Sequence, residues 1–213
     1  MKFDAVIFDL DGVLVHTDKF HYLAWKSIAD DLGVYFDETI NTRLRGVGRM
    51  DSLNILLECC DRPLSDAEKE GLAAVKNERY RRYLSLMTPA DVTDEVRTGL
   101  SRIRAAGIKT AIGSVSKNAG YILEKTDLVK YIDAVSDGNN IVNSKPDPEV
   151  FLKAAGFLGI APSRAAVVED AVAGIEAAVR GGFFAIAVGD ARNHPKADFK
   201  AQSFTEIINL ALY

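Results

Sequence analysis

The chain of 213 residues predicts an α/β fold: a Rossmann-like parallel sheet core with an inserted α-helical cap. Three observations predict it. Short apolar runs recur at 5–8, 109–113, 132–135, 165–168 and 183–188, with little of the polar alternation that marks a sheet face open to water. After Pro89 these runs alternate with helical patterns over Glu95–Ala106, Ala119–Thr126, Glu149–Leu158 and Ala171–Arg180, the rhythm of parallel crossovers. From Lys19 to Met87, by contrast, the pattern is helical and contains no convincing strand.

The elements are justified in order. Ala5, Val6, Ile7 and Phe8 read as an interior strand, and Asp9 and Asp11 follow at its end. Two carboxylates beside a core are expensive unless something compensates them, and a metal ion is the obvious compensator. Trp25, Ile28, Ala29 and Leu32 keep helical spacing, as do Leu53, Leu56, Leu57 and Cys60. A third helical run, Ser65 to Leu86, opens with Ser65 and Glu68 three residues apart, a capping-box signature. Gly107, Gly159 and Gly181–Gly182 stand where helices should end. The first strand belongs with the later ones, so the division expected is a discontinuous core, 1–14 with 89–213, and a cap, 15–88.

Composition narrows the partners. The chain is 48% hydrophobic and 26% charged, as expected of a soluble globular protein. Its net charge of −4, with no basic stripe, argues against nucleic acid. No apolar run approaches the roughly 20 residues that span a bilayer, so no membrane partner is expected. No signal peptide is read at the N-terminus. The two cysteines, Cys59 and Cys60, are sequence neighbours and poorly placed for a disulfide, which points to a reduced, cytoplasmic setting. They receive no functional role, nor do His16 and His194. A monomer is the default expectation.

Ligands of open parallel sheets bind beyond the carboxyl ends of the strands, so residues directly after each strand should form one site. Asp9-Leu10-Asp11-Gly12, Ser114-Val115-Ser116-Lys117-Asn118, Ser144-Lys145-Pro146-Asp147 and Glu169-Asp170 occupy those positions or nearby loops. Several carboxylates in one place suit Mg²⁺, which takes oxygen ligands and retains waters. Lys145 adds a fixed positive charge, and Ser114 with the amides that follow it offers donors to an anion. Together these groups match phosphoryl transfer, where catalysis is mostly positioning and charge neutralisation. An aspartate can be the nucleophile, and a second one two residues on can serve as general acid and base. Each residue also has a plainer reading: Ser114 as a helix N-cap, Lys145 as a solvated lysine, Glu169 and Asp170 as acids in a helix's first turn.

DLDGVLV, SVSKN, SKPDP and VEDAVAGIEAA, in that order, resemble the four motifs of the haloacid dehalogenase superfamily. The resemblance covers essentially the whole chain. It implies Asp9 as nucleophile, Asp11 as general acid/base, Ser114 and Lys145 on the transferring phosphoryl group, and Mg²⁺ held by Asp9, the Asp11 backbone carbonyl, Glu169 and Asp170. The cap, with His21 in KFHYLAWKSIADDLG, Arg49 in LRGVGRMDSL, and Lys76, is similar to the β-phosphoglucomutase family. That likeness implies interconversion of β-glucose 1-phosphate and glucose 6-phosphate through a bisphosphorylated sugar, and therefore a second anion site. Arg49, Ser116, Lys117 and Asn118 would form it, Gly46 and Val47 would lie against the sugar, and His21 and Lys76 would orient Asp11 and the substrate. Trp25 joins the substrate-facing residues, with cap core as its competing reading; Arg49, His21 and Lys76 compete with ordinary surface or packing roles. The chain departs from the family at His16, where an acidic residue is usual, at Gly48, where serine is common, and at Arg45, a lysine in some members. Two alternatives stand beside the mutase: a small phosphosugar phosphatase with the same core, and a non-catalytic phosphosugar-binding protein.

Overall fold

The computed structural model describes residues 3–60 and 62–213. Its six strands are β1 (Ala5–Phe8), β2 (Lys109–Gly113), β3 (Ala134–Ser136), β4 (Ala165–Glu169), β5 (Phe184–Ala187) and β6 (Phe199–Lys200). All pair in parallel, in the order β3-β2-β1-β4-β5-β6. The helices are α1 (Asp18–Leu32), α2 (Glu38–Thr42), α3 (Arg49–Leu57), α4 (Asp66–Leu84), α5 (Asp94–Ala105), α6 (Ala119–Lys125), α7 (Glu149–Leu158), α8 (Val172–Arg180) and α9 (Phe204–Leu212).

The apolar runs are continuous because both sheet faces are covered. Val6 and Phe8 of β1 and Ala166 and Val168 of β4 join one cluster with α5, α6 and α9. Ala5, Ile7, Ala165 and Val167 point the other way, into a second cluster with α7 and α8. β1 lies between β2 and β4, in register with both, so the carboxyl ends of these three strands stand side by side. That placement brings Asp9, Ser114 and Glu169 together.

The first four helices form the inserted helical layer. Trp25, Ile28, Leu53, Leu56 and Ala73 build a separate apolar cluster there. The expected capping box opens α4: the Ser65 hydroxyl accepts from the Glu68 amide at 3.3 Å, and Glu68 accepts from the Ser65 amide at 2.8 Å. Tyr80 and Leu84, near the end of α4, turn into the large sheet-side cluster, so this helix ties the helical layer to the sheet.

Some boundaries differ from the sequence reading. β3 begins at Ala134 rather than Ile132, because a 3₁₀ turn over Val129–Tyr131 closes on the Ile132 amide and delays pairing. α6 begins only at Ala119, with Asn118 at its N-cap, so Ser114 is not a helix cap. Instead the Ser114 hydroxyl accepts from the Ser116 amide at 3.1 Å and the Ser116 hydroxyl from the Asn118 amide at 3.2 Å. α8 starts at Val172, and its C-cap Gly181 stays right-handed while Gly182 takes φ +76°. The edge strand β6 and the C-terminal helix α9 have no counterpart in the expectations.

Candidate active site

Asp9 continues β1 by one residue: its amide donates to the Val168 carbonyl at 2.9 Å, which fixes the side chain at the mouth of the sheet. Lys145 Nζ donates to Asp9 Oδ1 at 2.5 Å and to Glu169 Oε1 at 2.6 Å. Glu169 Oε2 accepts the Ala171 amide at 2.7 Å. All three are buried: Asp9 is 6% exposed, Lys145 2% and Glu169 0%. Lys145 is therefore not a solvated lysine. Burial alone would lower its pKa, but the two carboxylates outweigh it and hold the ammonium charged above its ordinary range. Burial pushes the Asp9 carboxyl well up, Lys145 opposes this, and Glu169, Asp170 and Asp11 add to it.

Asp170 is pushed up to about 8, by burial first and by the adjacent Glu169 charge second. It sits against Gly12, whose φ of +90° and lack of a Cβ make room for its carboxylate; any side chain at 12 would collide with it. Among the described residues, no three acidic, histidine or cysteine side chains converge as a ready cation cage. The donor set nonetheless fits Mg²⁺, which takes few protein ligands and keeps waters. Asp9 and Asp170 are buried carboxylates that one lysine does not neutralise, and a divalent cation would relieve both. Glu169 has both oxygens engaged, yet each keeps a second lone pair for a cation.

Asp11 stands at the boundary with the helical layer. The Thr17 hydroxyl donates to its Oδ1, the Tyr80 hydroxyl lies 3.5 Å from the same atom, and His21 Nε2 is 4.0 Å away. Burial raises the Asp11 pKa and the Thr17 bond tempers the rise. A raised carboxyl suits a group that must give a proton and take it back.

The opposite wall comes from the helical layer. Lys76 on α4 is buried, with Nζ 3.0 Å from His21 Nδ1, 4.8 Å from the Trp25 ring and 4.6 Å from the Tyr80 ring. Burial, then the Arg49 charge, brings its pKa down to about 7, while Asp11 pulls the other way. Burial also holds His21 well below its ordinary value, aided by Lys76 and Arg49, so its imidazole is neutral. Arg49 opens α3 and donates to Asn77 Oδ1 at 2.8 Å; Asn118 donates to the same oxygen at 2.9 Å.

One cavity of about 600 Å³ is lined by Asp9, Asp11, His21, Trp25, Gly46, Val47, Arg49, Lys76, Ser114, Ser116, Lys117, Asn118 and Asp170. Thus thirteen of the fifteen residues singled out from the sequence face a common space. Lys145 and Glu169 stand behind it, buried against Asp9. Trp25 serves both its readings, lining the cavity while packed in the helical cluster. Gly48 lies so close to Ser144 that an added Cβ would collide with its hydroxyl, and both line the cavity. Arg45 pairs with Asp190, beyond β5, and lies 3.6 Å from Asp18. His16 is exposed.

Thr17, Asn77 and Tyr80 escaped the sequence reading. Tyr80 and Asn77 carried a faint signal: Tyr80 lies one helical turn from Lys76 and Asn77 is its neighbour. Thr17 carried none, because a threonine ahead of a helix reads as a cap, and here its side chain makes no cap bond.

Comparison with known proteins agrees with this geometry. The family model for haloacid dehalogenase-like hydrolase matches residues 3–182. A β-phosphoglucomutase of Bacillus subtilis is 36% identical over 205 residues, covering 95% of this chain and 91% of that protein. A phosphorylated carbohydrates phosphatase of Thermotoga maritima is 32% identical, covering 84% of this chain and 82% of that protein. The crystal structure of a β-phosphoglucomutase from Clostridium difficile superposes with a TM-score of 0.92 at 33% identity, covering 99% of this chain and 97% of that one. The chain belongs to the haloacid dehalogenase-like hydrolases, an enzyme among relatives named as β-phosphoglucomutases and phosphosugar phosphatases. No helix among the described residues is long and apolar enough to cross a membrane.

Proposed function

We propose that this haloacid dehalogenase-like enzyme is an Mg²⁺-dependent β-phosphoglucomutase. It interconverts β-D-glucose 1-phosphate and β-D-glucose 6-phosphate through an aspartyl-phosphate and β-glucose 1,6-bisphosphate. Residues 1–14 and 89–213 form its catalytic core and 15–88 its cap. The observation that carries this reading is the second cationic wall. Arg49 shares the cavity with Asp9 and is tied to Asn118, after β2, through Asn77. A bisphosphate must offer either phosphate to one aspartate while the other is held, and this wall can hold it.

In the forward direction the Asp9 carboxylate attacks phosphorus. The bond to the sugar oxygen breaks, and Asp11 gives that oxygen its proton. In the return, a sugar hydroxyl attacks the aspartyl-phosphate, Asp11 takes its proton, and Asp9 leaves as a carboxylate. Lys145 holds positive charge at Asp9 throughout, and Ser114 orients the transferring oxygens. Asp9, Asp170, Glu169 and the Asp11 backbone carbonyl would hold the magnesium, which when bound supplies charge neutralisation to those oxygens. His21 and Lys76 orient Asp11 and the sugar, and Gly46 and Val47 line its path. The closed cap excludes water, which would otherwise take the phosphoryl group.

A phosphatase reading draws support from the name of the Thermotoga relative. One assay separates the two. β-Glucose 1-phosphate, Mg²⁺ and a trace of glucose 1,6-bisphosphate are supplied, and glucose 6-phosphate and inorganic phosphate are followed together. The mutase forms glucose 6-phosphate without releasing phosphate. Arg49→Ala should then lower kcat/KM for isomerisation by about 10²-fold and divert the phosphoryl group toward water. Phosphate release by the unaltered enzyme without isomerisation would overturn the proposal.

A further inference from the structure

Arg81 lies in the basic run KNERYRRY, which reads as a solvated helical face. Its neighbour Arg82 behaves that way, pairing with Glu78 one turn back on α4. Arg81 does not. It crosses from α4 to α6, places its guanidinium 4.4 Å from the centre of the Tyr121 ring, and donates through Nη1 to Asn118 Oδ1 at 3.0 Å.

Arginine only donates hydrogen bonds, so this contact settles which way the buried Asn118 amide faces. With the oxygen turned to Arg81, the Asn118 nitrogen is the end that donates to Asn77 Oδ1. That same Asn77 oxygen accepts from Arg49. With its oxygen engaged twice, Asn77 has its nitrogen free of any protein partner among the described residues, and the residue lines the cavity. In the second cationic wall the Asn77 amide is thus set by two donors, Arg49 from one side and Asn118 from the other, and Asn118 is turned to donate by one arginine outside the wall.

We propose that Arg81 is a positioning residue for this wall: through its bond to Asn118 and its stacking on Tyr121 it aligns Asn118, Asn77 and Arg49 to receive the outer phosphate of a phosphosugar. The inference rests on the distal-site reading above and deepens it. The bond joins α4 to α6, so the wall is fully ordered only while the helical layer is docked on the sheet. Binding at the wall and closure then reinforce each other.

The test is equilibrium binding of glucose 6-phosphate in the presence of Mg²⁺, measured by calorimetry on the full chain. Arg81→Ala should weaken binding about tenfold, the effect of removing a charged hydrogen bond. Asn118→Ala should weaken it at least as much, and the double variant should be no weaker than Asn118→Ala alone, because the two act as one unit. Tyr121→Leu should reproduce part of the Arg81→Ala loss. Arg82→Ala, which removes an equal charge next door, should stay within about twofold of the unaltered protein. Equal effects of Arg81→Ala and Arg82→Ala would overturn the inference, as would additive losses in the double variant. So would failure of the unaltered protein to bind glucose 6-phosphate. Arg81 is exposed, so its replacement leaves the core intact, and matched thermal unfolding confirms this. If the coupling holds while the unaltered enzyme shows no isomerisation, the mutase reading falls and the positioning role stands.

Discussion

The two walls of the cavity are built by different means. At the sheet wall, Asp9 and Glu169 are tied to neighbouring strands by backbone bonds, Lys145 is ion-paired to both, and all three are buried. At the helical wall, Lys76, Arg49, Asn77 and Asn118 reach the cavity on side chains, held by a chain of polar contacts that crosses from α3 and α4 to the loop after β2. The first wall concentrates negative charge that the protein only partly neutralises. The second concentrates positive charge, with one member, Lys76, close to losing its proton. The contrast teaches that the reacting end of the site is buried and electrostatically loaded by its own side chains. On the proposed reading, the facing end is held by side-chain contacts that a phosphosugar would complete.

The largest effect that sharpens this contrast belongs to Asp9→Asn. The amide keeps the shape but cannot attack phosphorus, so phosphoryl transfer should fall by about 10⁴-fold or more. No acid-stable protein-bound phosphate should form at residue 9. Thermal unfolding should stay within a few degrees of the unaltered protein, because a buried charge has been removed and Lys145 keeps Glu169. A large loss of stability would mean that Asp9 holds the sheet wall together structurally, which would blur its separation from the helical wall.

Next comes Lys145→Ala. It leaves Asp9 and Glu169 buried without their shared cation, at a cost of about 3–5 kcal/mol in urea unfolding at neutral pH. The sign with pH follows from the raised Asp9 carboxyl. Its folded pKa exceeds its unfolded one, so the folded state binds protons more readily and the variant regains stability as pH falls. Arg49→Ala, at the other wall, removes a partly buried hydrogen bond and should cost only about 1 kcal/mol. Equal costs for the two variants would break the comparison.

The same contrast explains what the sequence could announce. β1 and β4 are covered on both faces, so Ala5–Phe8 and Ala165–Val168 appear as unbroken apolar runs, and the polar residues after them stand out. The sheet wall was legible for that reason. β6 has only two residues, Phe199 and Lys200, too few for any period to show. Most of the helical wall depends on contacts between distant segments: Asn77 matters because Arg49 and Asn118 meet on it, and neither distance is written in the spacing of KNERYRRY. Thr17 acts through the residue it touches, Asp11, six positions back, and a buried hydroxyl before a helix gives no sign of that partner.

The smallest effect probes Lys76 itself. Its ordinary pKa of 10.5 is lowered to about 7, chiefly by burial and then by Arg49, so near neutrality the side chain is divided between ammonium and amine. His21 is held neutral, and opposite the Lys76 ammonium, which only donates, its Nδ1 is the acceptor. An anionic phosphosugar favours the ammonium and should take up a proton on binding. From pH 7 to 9 the Kd for glucose 6-phosphate should then weaken by up to about tenfold per unit. Below pH 7 it should level off until the phosphate itself protonates near pH 6. Calorimetry in buffers of different ionisation enthalpy, with Mg²⁺ present to keep Asp170 ionised, reads the proton directly, and Lys76→Met should bind more weakly with a flat profile over the same range. Stability carries the matching sign. The unfolded chain holds a Lys76 proton that the folded chain lacks between about pH 7 and 10.5, so this residue makes the fold more stable as pH rises through that window. A flat Kd in the unaltered protein from pH 7 to 9 would mean that Lys76 stays charged without its ligand, and that the helical wall is as preset as the sheet wall it faces.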